Sequence, residues 1–236
     1  MLVHLVTIFP EFFDCTLQCS VLRIAQEKGI LQVEKINLRD FADDAYRTVD
    51  DYPFGGGAGM VMKPEPIFKA VRSVQTEQSW VVLLSPQGRR FTQGVAGELA
   101  GKPHLVLICG HYKGVDERVR EFLVQDEISI GDYVLSGGEI PALALLEATT
   151  RLLPGVVGDE ESVNSDSFMA GLLGAPYYTR PREFESRAVP EVLVAGDHEK
   201  VRRWRRQKSL ELTRERRPDL FARYVLTEED KRLLLE

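Results

Sequence analysis

Hydrophobic and polar positions along the first 155 residues fall into two alternating rhythms. Short runs rich in β-branched residues, Leu2–Phe9, Trp80–Leu84, His104–Cys109 and Ile128–Ile130, predict strands buried on both faces, and Leu31–Leu38 predicts another. Between them apolar residues recur at helical spacing. Pro10–Lys28 predicts one helix ended by Gly29, and Pro64–Val74 a second opened by proline. Residues 92–100 predict a third, Val115–Leu123 a fourth with Asp116 near its start, and Glu139–Leu153 a fifth stopped by Pro154 and Gly155. Strand–helix alternation on this scale is the pattern of an α/β fold, a parallel sheet with helices on both faces.

The rhythm stops at residues 156–180. GDEESVNSDSFMAG (158–171) has no period and many turn formers, so it reads as a linker or a mobile loop. Beyond it Val189–Val194 predicts a short strand or extended piece. Helical patterns follow at about 196–212, at 218–224 after Pro218, and at 227–235, where Thr227 precedes Glu229 and Asp230. The expected division is an α/β domain over 1–157, a flexible linker over 158–175 and a small helical domain over 176–236.

Composition narrows the class. With 44% hydrophobic and 28% charged residues the chain is ordinary for a globular protein, which sets aside disordered and fibrous classes. No apolar run approaches the roughly 18–20 residues of a membrane helix. The start, MLVHLVTIFPEFF, lacks the basic opening of a signal peptide and already carries Glu11. Cys15, Cys19 and Cys109 suit a reducing compartment, and no second pair completes a zinc site with Cys15 and Cys19. The expectation is buried thiols, no metal ligands and a cytoplasmic location. Net charge is −6, yet from Gly196 onward 12 Lys and Arg stand against 9 Asp and Glu, leaving −9 for residues 1–195. The excess concentrates in KVRRWRRQK (200–208), with Arg214, Arg216 and Arg217 beyond it. Such a helix either holds a phosphate backbone or is a solvated face, and charge alone does not choose.

In an open parallel sheet ligands bind beyond the carboxyl ends of the strands. Here those ends carry SPQGRR (85–90), GHYKG (110–114) and GDYVLSGG (131–138). Glycine lets main chain approach a ligand with no Cβ in the way, so three such loops could wrap one small molecule, or could simply be tight turns. None is GxGxxG opening a helix or GxxxxGK[ST], so dinucleotide and P-loop binding lack their usual mechanism. No GxSxG elbow supports a hydrolase. An earlier loop, DDYPFGGGAG (50–59), holds four glycines in its last five residues, which marks a close approach, a hinge or a flexible surface loop. Asp166 in the polar stretch and Arg151 at a helix end are compatible with general-base chemistry, and equally with solvated charges. His111 is the one histidine in a glycine loop, a weak signal by itself.

Taken together, LSPQG (84–88), CGHYKGVDERV (109–119), SIGDYVLSGGE (129–139) and YTRP (178–181) resemble the bacterial tRNA (guanine-N1)-methyltransferase family, TrmD. RTVDDYPFGGGAGM (47–60) and RRWRRQKSL (202–210) extend the resemblance, which runs from the first strand to the last helix. It implies the SPOUT class: an α/β domain tied in a deep trefoil knot at its C-terminal half, a topology that periodicity alone would exclude. The knot loops would hold S-adenosylmethionine through Leu84, Ser85 and Pro86; Gly110, Tyr112 and Gly114; Ile130, Gly131, Asp132, Tyr133, Val134 and Leu135; and Gly137 and Gly138.

The implied reaction methylates N1 of the guanosine directly 3′ of the anticodon, position 37 of the tRNA. By resemblance, Asp166 is the base that removes the N1 proton, and Arg151 stabilises charge on O6. The resemblance also implies that Gly55, Gly56, Gly57, Ala58 and Gly59 contact the target base and that Arg202, Arg203, Arg205, Arg206 and Lys208 hold the tRNA, with Trp204 expected to pack the small domain rather than stack on helix neighbours. The family works as a homodimer, with each site shared between the knot of one subunit and the Asp166 loop and helical domain of the other. This chain departs from the pattern where many members read CGRYEG, having His111 and Lys113. Gly174 stands where an acidic residue often follows GLL, and Ala58 replaces a proline. In some relatives the two missing carboxylates are linked to magnesium, so a magnesium requirement stays open, with Lys113 offering a fixed positive charge instead. Two other classes compete. A non-catalytic RNA-binding module would have no use for three glycine loops, and a nicotinamide-dependent oxidoreductase would need the missing phosphate fingerprint.

Overall fold

The computed structural model describes residues 1–158 and 165–235, and the chain divides after Gly158 into two units. In the first unit, five strands form a wholly parallel sheet: β1 (Leu2–Thr7), β2 (Gln32–Asn37), β5 (Ser79–Arg90), β6 (His104–Cys109) and β7 (Asp126–Ser129), in the order β2-β1-β6-β5-β7. A separate antiparallel pair, β3 (Asp50–Asp51) and β4 (Val61–Met62), flanks the glycine run.

Successive side chains of a strand face opposite ways, so each run feeds two cores. Val3 and Leu5 of β1, Val82 and Leu84 of β5, and Leu105, Leu107 and Cys109 of β6 pack on one side. They meet α2 (Ser20–Glu27), α4 (Gln93–Ala100) and α6 (Glu139–Thr150) through Leu22, Ala25, Val95, Leu99, Ala142 and Leu145. Val6, Val81, Leu83, Val106 and Ile108 face the other side, against Ile67, Ala70 and Val71 of α3 (Pro64–Val74) and Val119 and Leu123 of α5 (Glu117–Leu123).

Three local expectations for the first unit need correction. The helix predicted over Pro10–Lys28 is instead a 3-10 turn (Pro10–Phe13), a single helical turn α1 (Asp14–Leu17) and α2. Cys19 is extended and Ser20 has φ +47°, and the break lets Phe13 and Leu17 reach the same core as Leu22 and Ala25. The Gln26 side chain donates to the carbonyl of Leu17, a partner a continuous helix would have supplied. Cys15 and Cys19 are exposed, and only Cys109 is buried as expected. The strand predicted over Trp80–Leu84 runs on to Arg90, because Leu84 and Arg89 both stand opposite Ile128; residues 85–88 leave the ladder as a bulge. Turn formers inside a strand therefore marked a bulge and not its end.

The second unit is built on α7 (His198–Arg216), with α8 (Pro218–Phe221) and α9 (Glu228–Leu233) packed on it through buried Leu210, Thr213 and Leu233. Asp197 caps α7 by accepting from the Lys200 amide, and Thr227 and Asp230 cap α9 reciprocally. Where Val189–Val194 predicted an extended piece there is a 3-10 turn, Glu191–Leu193, preceded by a hairpin of β8 (Glu183–Phe184) and β9 (Arg187–Ala188). Of the linker expected over 158–175, residues 159–164 lie outside the described residues. Residues 165–175 are tied to α7: the Leu173 amide donates to Thr213 Oγ1 (2.9 Å), and Ser209 Oγ donates to the Leu173 carbonyl (2.5 Å). Among the described residues no helix is long and apolar enough to cross a membrane.

Candidate active site

The bulge of β5 and the carboxyl ends of β6 and β7 open onto one cavity of about 510 Å³. Its wall is formed by the β5 bulge, the 110–114 loop and the 130–138 loop, so three segments distant in sequence converge because their strands are neighbours. Gly110, Gly137 and Gly138 present main chain, while Leu84, Ile130 and Leu135 supply apolar surface. Gly138 has no alternative: a Cβ there would lie 2.6 Å from Cys109 Cα. Its amide also donates to the Gly110 carbonyl (2.9 Å), which fastens the two loops together. Tyr112 takes a left-handed backbone (φ +60°), a costly conformation for a side chain of that size and one that turns the half-exposed ring to the cavity.

Behind the wall the chemistry is polar but closed. Glu139, the first residue of α6, is buried and accepts from Thr7 Oγ1 (2.5 Å) and from the His111 ring at Nε2 (2.7 Å). Burial, with the Glu139 charge adding to it, pushes the Cys109 thiol well above its ordinary value, so this cysteine is a neutral core residue and not a nucleophile.

The glycine run reaches the same place. Gly55, Gly56, Gly57 and Gly59 all have positive φ, which explains why glycine recurs there. The Lys113 amide donates to the Met60 carbonyl (2.9 Å) and the Met62 amide to the Gly114 carbonyl (2.9 Å). A Cβ on Gly59 would stand 2.9 Å from Lys113 Cγ, so the Lys113 stem lies directly over that glycine. The 55–59 loop is thus anchored beside the cavity by the 110–114 loop.

The second unit carries cations of a different kind. Arg206 spends its guanidinium on Asp230 (2.7 and 2.9 Å) and on Tyr224 Oη (2.6 Å). The guanidinium holds the Asp230 carboxyl down at about 2. Arg202 pairs with Glu199 and Glu229, and Lys208 with Glu211. Arg205 lies over the Tyr177 ring (5.6 Å), and Trp204 is half-buried beside Tyr178 (6.3 Å between centroids). Arg203 is exposed on the same helix. Asp166 is exposed in the segment docked on α7, two residues before Phe168, whose ring lies under the Arg217 guanidinium (5.9 Å).

The family described as tRNA (Guanine-1)-methyltransferase TrmD matches residues 1–223. The chain belongs to that family. Among its relatives, proteins named tRNA (guanine-N(1)-)-methyltransferase from Dictyoglomus turgidum and Moorella thermoacetica are each 56% identical, covering 99% and 100% of this chain and 95% and 96% of their own length. The protein of that name from Staphylococcus carnosus is 53% identical over 99% of this chain and 96% of its own length.

Within this TrmD chain, every residue expected to touch the cofactor lines the cavity except Asp132, which is exposed outside its lining. Arg151 is exposed at the C-terminal end of α6 in the first unit, and Asp166 belongs to the second. Among the described residues no group of three or more His, Cys, Asp or Glu is placed to hold a metal. Sequence reasoning missed Thr7 and Glu139. An acid in the first turn of a helix is ordinary, so the only available signal was its position right after two glycines of a cavity loop.

Proposed function

We propose that this chain is an S-adenosylmethionine-dependent tRNA methyltransferase that modifies N1 of the guanosine directly 3′ of the anticodon. The observation that carries the reading is the meeting of the β5 bulge with the glycine loops 110–114 and 130–138 at one cavity, with Met60, at the end of the 55–59 loop, bonded to Lys113 beside it. The cavity suits a nucleoside-sized ligand: its volume falls in the usual range, and its wall offers main-chain groups for an adenine edge and Leu84, Ile130 and Leu135 for its faces. S-adenosylmethionine, when bound there, would supply a methyl group on a sulfonium whose sulfur is left as a neutral thioether, a leaving group that needs no acid.

The protein's own work is on the base. Guanine N1 carries a proton and is a poor nucleophile until it is removed. The Asp166 carboxylate accepts that proton, a contribution of about 10²–10⁴ in rate. Arg151, always charged and donor-only, stabilises the negative charge that grows on O6. The 55–59 loop, docked beside the cavity, receives the base once it has left its stack. On α7 the cations Arg202, Arg203, Arg205 and Lys208 hold phosphates of the anticodon stem. Arg206 stays with Asp230 and keeps the helical unit in shape.

The chain path that accompanies this reading is a trefoil knot through the β5 bulge and the loops after β6 and β7. Its support is the family membership and the sheet order, in which β7 pairs with β5 on both sides of the bulge. A homodimer with shared sites is supported by Phe9, Phe12 and Ile140, large apolar side chains left exposed on the first unit. Lys113, at the cavity with a cationic head, supplies fixed charge where relatives use carboxylates; Lys113→Ala is expected to weaken both cofactor affinity and turnover.

Calorimetric titration with S-adenosylmethionine, with NADH as control, tests the reading directly. Binding of the first alone, followed by methyl transfer to a tRNA with guanosine after the anticodon and none to its adenosine variant, is the expected result. No binding with or without tRNA would return the chain to an RNA-binding module. Mixing Asp166→Asn chains with Gly138→Val chains tests the shared site, because activity should reappear only if the two halves come from different subunits.

A further inference from the structure

The cofactor loops have no regular secondary structure, yet two of them are fixed by one buried carboxylate. Glu139 is 4% exposed and accepts two hydrogen bonds, from the end of β1 (Thr7 Oγ1, 2.5 Å) and from the 110–114 loop (His111 Nε2, 2.7 Å). Thr7 is itself fixed, since its Oγ1 also accepts from the Phe9 amide (2.9 Å), and the Phe9 ring meets the His111 ring edge-on at 5.1 Å. Over the Glu139–His111 pair lies Gly137, bridged to His111 in antiparallel fashion. A Cβ on Gly137 would fall 2.1 Å from the imidazole and 2.5 Å from Glu139 Oε2. The imidazole therefore forms the floor under the 137–138 turn while its main chain belongs to the 110–114 loop.

We propose that His111 and Glu139 are positioning residues for the cofactor: the hydrogen bond between them sets the spacing between the 110–114 loop and the Gly137–Gly138 turn. This rests on the S-adenosylmethionine reading above. The physical reason is that glycine loops bind well only if they are held, since their own backbone entropy opposes order. A carboxylate that is buried must keep its donors, so it resists any separation of the strand end, the loop and the helix start. The loops are thereby preorganised without a side chain entering the cavity from Glu139.

The test compares wild type, His111→Ala and His111→Gln, measuring S-adenosylmethionine affinity by calorimetry and kinetics with tRNA. His111→Ala removes the donor and the floor, and should raise Kd and KM for S-adenosylmethionine about tenfold or more, while kcat at saturating cofactor falls less than about threefold. His111→Gln places an amide N–H near the Nε2 position and should recover most of the affinity. Thermal melts of both variants separate loop positioning from loss of fold: the expected His111→Ala chain melts as one folded species. An unchanged Kd in a folded His111→Ala chain overturns the proposal, as does an equal loss in kcat and affinity that His111→Gln fails to rescue. Failure of wild type to bind S-adenosylmethionine overturns the functional reading itself, and this proposal with it.

Discussion

In the first unit the cavity is walled by loops whose glycines present main chain and whose Leu84, Ile130 and Leu135 present apolar surface, with Lys113, Glu117 and Arg120 at its margin and Glu139 buried behind the wall. The second unit offers long cationic side chains, and Arg202, Arg206 and Lys208 already hold acidic partners of their own. The contrast matches what each is asked to bind. A nucleoside read by main chain needs fixed spacing, which glycine loops fastened to a rigid sheet provide. A phosphate backbone needs mobile cations that can change partners, and ion pairs at a helix surface cost little to exchange.

The comparison breaks most visibly at the chemistry. Asp166→Asn should lower turnover by about 10²–10⁴ and leave S-adenosylmethionine binding unchanged; a parallel loss of binding would make Asp166 part of the fold. Next comes the wall. Gly138→Ala drives a Cβ into the Cys109 backbone at 2.6 Å, and calorimetry should show cofactor affinity reduced by about tenfold to a hundredfold with tRNA binding retained.

On the other side of the comparison, Asp230→Ala should destabilise the helical unit by about 2–3 kcal/mol, since it strands a partly buried Arg206. Urea unfolding followed by Trp204 fluorescence in a Trp80→Phe background reads that unit alone. The same pair has a pH signature. Asp230 titrates at about 2 in the folded protein, below its ordinary 3.8, so its contribution is complete above 3.8 and is lost as pH falls towards 2. In Asp230→Asn that acid-side loss should shrink.

Smaller effects sharpen the division among the cations. Arg203→Ala and Arg205→Ala should each flatten the salt dependence of tRNA binding by about one unit of slope, whereas Arg206→Ala should lower stability and leave the slope alone. A slope that responds only to Arg206 would reverse the assignment. The smallest effect lies at the far end of the sheet. His104 is bonded to His4 (2.8 Å) and Ser79 (2.7 Å), and burial first, then the neighbouring His4, lowers its pKa below 6.5. A lowered histidine pKa means that the unfolded chain takes up the proton first, so stability should be flat above 6.5 and decline below it. Melting temperatures of wild type and His104→Gln between pH 8 and pH 5 check this, and an identical decline in both would place the effect elsewhere.

How much could be read in advance varied with the range of the interaction. The alternating strands, Gly29 ending α2 and Thr227 capping α9 depend on neighbours a few residues away, and each stood in the expected place. The break at Cys19 and Ser20 did not, because helical spacing continues through it and only contact with the shared core requires the turn. Likewise SPQGRR carries turn formers, but a bulge differs from a turn only in whether a partner strand resumes pairing beyond it. The β8–β9 hairpin had no hydrophobic alternation to announce it, being exposed on both strands.

Sequence by itself determined the α/β class, the order of the five sheet strands, the basic helix and the glycine loops as candidates, since composition and local period encode these directly. Tertiary structure alone decided which glycines face one another, that Lys113 lies over Gly59, that Arg206 belongs to Asp230, and that Thr7, His111 and Glu139 meet. Those are contacts between residues from 24 to 132 positions apart, among them Arg206 with Asp230 and Thr7 with Glu139. No local pattern carries information about partners that only the pairing of strands and the packing of helices bring together.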